Sequence, residues 1–190
     1  MIIGVLALQG AVREHIVSLS RLGVESRVVK TEEGLEGLSG LVFPGGESTA
    51  ISLLANDSFL DRLKNLARSG FPMFGTCAGM IMLASEIEGR DVGYIGAIDI
   101  TVSRNATGRQ VDSFETILDI ENIGRDVPAV FIRAPYITRH GANVRPMASH
   151  EGHCVVARQE NILVASFHPE LTEDTRIHEF FVEMVREIGN

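Results

Sequence analysis

Apolar and polar positions along the chain switch between two rhythms. "IIGVLAL" (2–8) is a continuous apolar run, as a strand buried on both faces requires. After Gln9 and Gly10, "AVREHIVSLSRLG" sets Val12, Ile16, Leu19 and Leu22 at helical spacing and stops at Gly23. "ESRVVK" (25–30) and "GLVFPGG" (40–46) read as the next two strands, the second closed by Pro44 and two glycines. "STAISLLANDSFLDRLKNLARSG" (48–70) reads as helix with a break near Asn56–Ser58. "PMFG" (72–75) reads as a strand and "AGMIMLASEIEG" (78–89) as a helix. Up to residue 89 the order is β-α-β-β-α-β-α, which predicts a parallel sheet covered by helices on both faces.

The second half has another texture. "DVGYIGAIDITVSR" (91–104), "SFETILDI" (113–120) and "VPAVFIRAPYI" (127–137) read as strands of a more antiparallel region. "HCVVARQ" (153–159) and "ILVASFHPEL" (162–171) read as a hairpin around Glu160–Asn161. "EDTRIHEFFVEMVREIGN" (173–190) closes the chain as a helix with Ile177, Phe180, Phe181, Met184, Val185 and Ile188 on one face. No repeat or linker interrupts the 190 residues, so a single domain over 1–190 is expected. Its class is α/β: three layers, a flavodoxin-like, mostly parallel sheet, and some antiparallel strands in the second half.

Composition narrows the functional classes. The net charge of −8 argues against nucleic acid, which needs clustered Lys and Arg. No run approaches the ~18 apolar residues of a membrane span, and the N-terminus lacks the basic region of a signal peptide. A cytoplasmic protein is expected. Two cysteines make no disulfide framework, and no His or Cys pair has zinc-ligand spacing.

The candidate chemistry begins at Gly75-Thr76-Cys77-Ala78-Gly79, between an apolar strand and an apolar helix. A free cysteine is often a small buried hydrophobe. The same pattern is also that of a nucleophile elbow, with flanking glycines to permit the turn and a helix start to stabilise a thiolate. "SFHPEL" (166–171) supplies a base and an acid. Two residues apart at a strand end, His168 and Glu170 would share a face, with Glu170 orienting the imidazole toward a thiol. "FPGGES" (43–48) adds bare backbone N–H groups for an oxyanion, and Ser48 or Thr49 as helix N-cap. Cys154 reads as core. His15, His140, His150, His153 and His178 carry no motif.

In this order, "PGGES", "FGTCAG" and "SFHPEL" resemble a class I, triad-type glutamine amidotransferase. "LQGAVREH" (8–15), "RNATGRQVDSFE" (104–115), "FIRAP" (131–135) and "SFHPELTED" (166–174) resemble its glutaminase branch serving pyridoxal 5′-phosphate synthase, from residue 2 to about 186. The resemblance implies hydrolysis of L-glutamine through a γ-glutamyl thioester on Cys77, with His168 as acid and base and Glu170 orienting it. It implies oxyanion donors at Gly46 and Ala78, and glutamine contacts at Gly46, Glu47, Ser48, Arg104, Ile132 and Arg133. Ammonia would pass to a (β/α)8-barrel synthase, up to twelve of each subunit in a ring, with Gln9 and Gly10 toward the partner. No cofactor is implied, and there is no P-loop or G-x-G-x-x-G. The competing readings are a Cys-His peptidase-like relative, a redox-sensing or inactive regulatory protein, and a glutaminase serving another synthase. "SFHPEL" argues against the first, and the presence of Cys, His and acid against the second. "QGAVREH" and "GRQVDSF" favour the vitamin B6 branch over the third.

Overall fold

The computed structural model of the chain describes residues 1–90, 93–104 and 113–189. Strands β1 (Ile2–Leu6), β2 (Glu25–Val29), β3 (Gly40–Phe43), β4 (Met73–Thr76) and β12 (Ile162–Ala165) lie in the order β2-β1-β3-β4-β12. Every pairing among these five is parallel. This is the flavodoxin-like order, in which ligands bind beyond the carboxyl ends of the strands near the point where strand order reverses.

The sheet continues past β12 through β11 (His153–Gln159), β9 (Tyr136–His140), β6 (Ile98–Ser103) and β5 (Ala84–Ile87), with β10 (Arg145–His150) also on β11. The β12–β11, β11–β9, β9–β6 and β10–β11 pairings are antiparallel, as the second half of the sequence suggests. A separate ribbon pairs β7 (Phe114–Ile120) with β8 (Gly124–Phe131).

Side-chain alternation along the central strands feeds two cores. On one face Leu6, Leu41, Phe43, Met73, Ile162 and Val164 pack against α2 (Ser48–Leu54), α3 (Asp57–Arg68) and α4 (Ala78–Leu83). On the other face Ile3, Val5, Val42, Phe74, Leu163 and Ala165 pack against α1 (Val12–Arg21), α5 (Arg176–Ile188) and the ribbon. Each fully buried large side chain contributes about 1.5–3 kcal/mol, so cover on both faces of the sheet contributes to stability. Among the described residues no helix is long and apolar enough to cross a membrane.

One expected boundary is present and three others shift. The expected break between α2 and α3 is present, and Asn56 caps the second helix through Phe59 N–H at 2.8 Å. The helix read over 78–89 stops at Leu83, because Ile95 and Ala97 donate backbone hydrogen bonds to Met82 and Leu83 and turn the chain into β5. The strand read over 127–137 is two, β8 and β9, separated around Ile132–Pro135. The strand read over 162–171 ends at Ala165, and Pro169–Leu171 is a 3-10 turn. Most of "GRQVDSF", and the start of the strand read from residue 91, lie outside the described residues.

Candidate active site

The carboxyl ends of β1, β3, β4 and β12 converge on a cavity of about 470 Å³. Gln9, Gly46, Glu47, Ser48, Cys77, Ala78, Arg104, Ile132, Arg133 and His168 line it, together with Ile81 and Pro135. These include every residue expected to touch substrate. A hollow of about 560 Å³ at the β7–β8 turn is larger, but its wall has the carboxylates of Asp119 and Glu121 and neither a cysteine nor a histidine. Chemistry therefore selects the first.

Cys77 sits at the tip of the turn from β4 into α4, with φ +49° and ψ −107°. A non-glycine residue at such angles costs about 1–3 kcal/mol and persists only where its surroundings fix it. Its N–H donates to Ala165 O at 2.8 Å, which ties the elbow to the neighbouring parallel strand. The flanking glycines act by close approach, not by left-handed backbone. A Cβ on Gly75 would stand 2.6 Å from the Gly79 carbonyl, and one on Gly79 would collide with the Phe43 carbonyl. Thus the strain falls on the cysteine, while the glycines let α4 lie directly on β3 and β4. Cys77 is only 6% exposed, and it lines the cavity.

His168 and Glu170 do meet, but not as neighbours on one face of a strand. His168 precedes the 3-10 turn that Pro169 opens, and the turn swings Glu170 back so that its Oε1 lies 2.8 Å from His168 Nδ1. Pro is well suited to that first turn position, since its fixed φ is already helical and its missing N–H is not needed. The His168 N–H donates to Val130 O at 2.8 Å, anchoring the turn to β8. With Nδ1 on the acid, the other ring nitrogen is left for Cys77. Burial opposes charge on this imidazole, but its hydrogen bonds and charge interactions with Cys77 and Glu170 outweigh burial and push its pKa up to about 10. The imidazole is thus held protonated, with a proton to give to a departing group.

The loop after β3 is fixed from both sides. Gly45 O accepts from Ala11 N–H at 3.1 Å, and Gly45 N–H donates to the Thr76 hydroxyl at 3.1 Å. The Gln9 side chain accepts from Glu47 N–H at 2.6 Å, so Gln9 braces this loop as well as standing exposed beside it. Gly10, at φ +109°, lies close enough to the Gly45 carbonyl that a side chain there would collide. The N-cap of α2 is Glu47, in place of the expected Ser48 or Thr49. Its carboxylate accepts from Thr49 N–H at 3.0 Å and Ala50 N–H at 2.7 Å. The Thr49 amide leads in holding that carboxyl below its usual range, with Arg104 adding to it.

Arg104 donates to Tyr94 Oη at 2.7 Å and to Thr49 Oγ1 at 3.3 Å. Its Nε is buried with no partner among the described residues. Arg133, at φ +44°, lines the same cavity. Two guanidinium groups and the Glu47 carboxylate suit a zwitterionic amino acid. Among the described residues no three His, Cys, Asp or Glu side chains gather as a metal site requires.

Three contributors escaped the motifs. Tyr94 holds Arg104. His15 and His178 lie fully buried behind Glu170, with His15 Nε2 3.5 Å from Glu170 Oε2. The available signal was a histidine on the apolar stripe of each amphipathic helix, with His15 between Val12 and Leu19, and His178 between Ile177 and Phe181.

A strained thiol, an imidazole and an acid at the carboxyl end of a flavodoxin-like sheet define the class: an α/β protein with a Cys–His–acid constellation. The sequence model of the SNO glutamine amidotransferase family matches residues 5–187. The chain is 54% identical over 186 residues to pyridoxal 5′-phosphate synthase subunit PdxT of Bacillus cereus (strain B4264), covering 97% of this chain and 95% of that one. It is 55% identical to the protein of the same name from Halalkalibacterium halodurans, with the same coverage. A crystal structure described as a glutamine amidotransferase matches with TM-score 0.91 and 46% identity, over 97% of this chain and 98% of that chain. The chain belongs to the SNO glutamine amidotransferase family.

Proposed function

We propose that this chain is the glutaminase subunit of a pyridoxal 5′-phosphate synthase, with residues 1–190 forming one domain that works in the cytoplasm. The observation that carries the chemical reading is the Cys77–His168–Glu170 arrangement in a cavity that also holds Arg104, Arg133 and Glu47.

The Cys77 thiolate attacks the γ-carboxamide carbon of L-glutamine. The developing oxyanion is met by the N–H groups of Gly46 and Ala78, whose preorganised dipoles are worth several kcal/mol there. The His168 imidazolium gives its proton to the departing nitrogen, the C–N bond breaks, and ammonia and a γ-glutamyl thioester result. Neutral His168 then takes a proton from water. The hydroxide adds to the thioester carbon, the C–S bond breaks, and glutamate leaves with the thiolate restored. Glu170 holds the imidazole by Nδ1 throughout. The substrate's charged ends are held by Glu47, Ser48 and Ile132 with Arg104 and Arg133. Every step uses groups of the chain and water.

The relatives are named as subunits of a pyridoxal 5′-phosphate synthase, which supports a synthase partner; the family resemblance implies that this partner is a (β/α)8-barrel that consumes the ammonia, with up to twelve of each subunit. Gln9 and Gly10 face the partner in this reading. The test is glutamate release by the purified chain with L-glutamine, alone and with the barrel synthase. Release stimulated by the synthase is expected. No release in either setting overturns the assignment, and release indifferent to the synthase overturns the partner.

A further inference from the structure

Behind Glu170 lies a polar cluster that this chemistry leaves unused. His15 on α1 and His178 on α5 are both fully buried. His15 Nδ1 is 2.9 Å from His178 Nε2, and His15 Nε2 is 3.1 Å from the Thr76 hydroxyl and 3.5 Å from Glu170 Oε2. The edge of Phe74 meets both rings, at interplanar angles of 86° and 85°. That packing fixes their planes. Glu170 spends Oε1 on His168, while Oε2 is buried and has no other partner among the described residues.

Both rings are neutral. Burial, reinforced by repulsion from His178 and His168, drives His15 well below the usual histidine range. Burial alone takes His178 down to about 4. Each ring therefore carries one hydrogen, and two arrangements compete. In the first, His15 donates from Nδ1 to His178. Its Nε2 lone pair then accepts from the Thr76 hydroxyl at 3.1 Å but also stands 3.5 Å from a buried carboxylate oxygen, and the hydrogen of His178 sits on Nδ1, which has no acceptor. In the second, His178 donates from Nε2 to His15, and His15 turns Nε2–H toward Thr76 and Glu170 Oε2. The unpartnered His178 atom is then a lone pair, not an orphaned donor, and the carboxylate faces a hydrogen. The second arrangement satisfies more of the buried charge.

We propose that His15, held in its Nε2–H tautomer by His178, is a positioning residue for the glutaminase reaction: it secures Oε2 of Glu170 so that Oε1 stays on His168. The proposal rests on reading Cys77, His168 and Glu170 as the triad. The groups facing the Glu170 carboxylate are His168 from its own turn and His15 from α1, with His178 from α5 behind them. Thr76 from β4 is the neutral polar neighbour, and Cys77 lies across His168. Thr76 also accepts from Gly45 N–H at 3.1 Å, so the same cluster reaches the loop that lines the cavity.

Two measurements test this. Side-chain 1H–15N correlation spectra of the 15N-histidine-labelled chain read the tautomers without reference to activity. Both histidines are expected as Nε2–H, and a His15 hydrogen on Nδ1 overturns the proposal. The second is the pH profile of kcat/KM for glutamate release in the complex with the barrel synthase. His15→Phe fills the space without an N–H. It should lower kcat/KM about tenfold and move the alkaline limb about one pH unit downward, because His168 loses a well-placed carboxylate. His15→Gln restores an amide N–H and should recover most of both effects. Equal losses in the two variants, or a loss with the limb unmoved, overturn the proposal. If His15→Phe does not fold, His178→Gln and His178→Met give the same contrast one step back. A wild-type complex that releases no glutamate refutes the triad reading instead, and the tautomers are then read on their own.

Discussion

Replacing Gly45 by alanine puts one methyl group against the ring of His168. A Cβ built there lies 2.7 Å from His168 Nδ1, closer still to Cε1, and 3.3 Å from Cys77 Cβ. Ordinary contact begins near 3.4 Å, and Cε1 is the nearest ring atom, so the imidazole must retreat by about 1 Å or more to admit the methyl. The ring has little room to do so. Its Nδ1 is bound to Glu170 at 2.8 Å, and its backbone N–H is bound to Val130 O at 2.8 Å. A displacement near 1 Å at a reacting group costs about 100-fold in rate, so Gly45→Ala should lower kcat by about that factor. Gly45 has no positive φ, so alanine is not excluded by backbone conformation, and the loss of stability should stay within about 1–3 kcal/mol. The assay is glutamate release in the complex, with thermal melting and size-exclusion chromatography to show that fold and docking survive. Full activity in Gly45→Ala would show that His168 does not work from this pose, and the triad geometry would have to be abandoned.

Cys77→Gly should abolish turnover yet raise Tm by about 2–4 °C, since it relieves a backbone strained at φ +49°; a lower Tm would mean that the strain is absent. Tyr94→Phe removes the hydroxyl that accepts from Arg104 at 2.7 Å. It should raise KM about 5- to 30-fold with kcat nearly kept, as steady-state kinetics would show. Glu170→Gln removes one of the two groups that hold His168 protonated. The alkaline fall of kcat/KM should therefore come at lower pH than in the wild type. Stability follows the same sign. His168 is held above its ordinary 6.5, so its contribution is full below about pH 6.5 and fades as pH rises through about 10. Melting curves from pH 7 to 10 should fall more steeply for the wild type than for Glu170→Gln, and parallel curves would contradict the charge assignment.

The central strands were legible because each is buried on both faces, which leaves continuous apolar runs such as "IIGVLAL". The elbow was legible because its glycines and cysteine are local, although what the glycines do, letting helix lie on strand, depends on Phe43 at the end of β3, with α2, α3 and β4 between them in the chain. β5 was hidden, since Ile87 continues the helical spacing of Met80 and Leu83, and only the later segment at Ile95–Ala97 captures the helix end. β10 was hidden because "RPMASH" buries only Met147 and Ala148 and reads as loop. The His168–Glu170 contact was anticipated by a strand argument, but a proline-led turn makes it. His15 and His178 meet across 163 residues, and no short motif can announce such a pair.

In the proposed reaction Cys77 carries the γ-glutamyl group. The most direct measurement is intact-protein and peptide mass spectrometry on the synthase complex, acid-quenched during turnover of L-glutamine. An adduct of one γ-glutamyl group is expected on the peptide containing Cys77, sensitive to hydroxylamine and absent from Cys77→Ala. Ammonia release with no adduct on Cys77, or an adduct on Cys154, would contradict it.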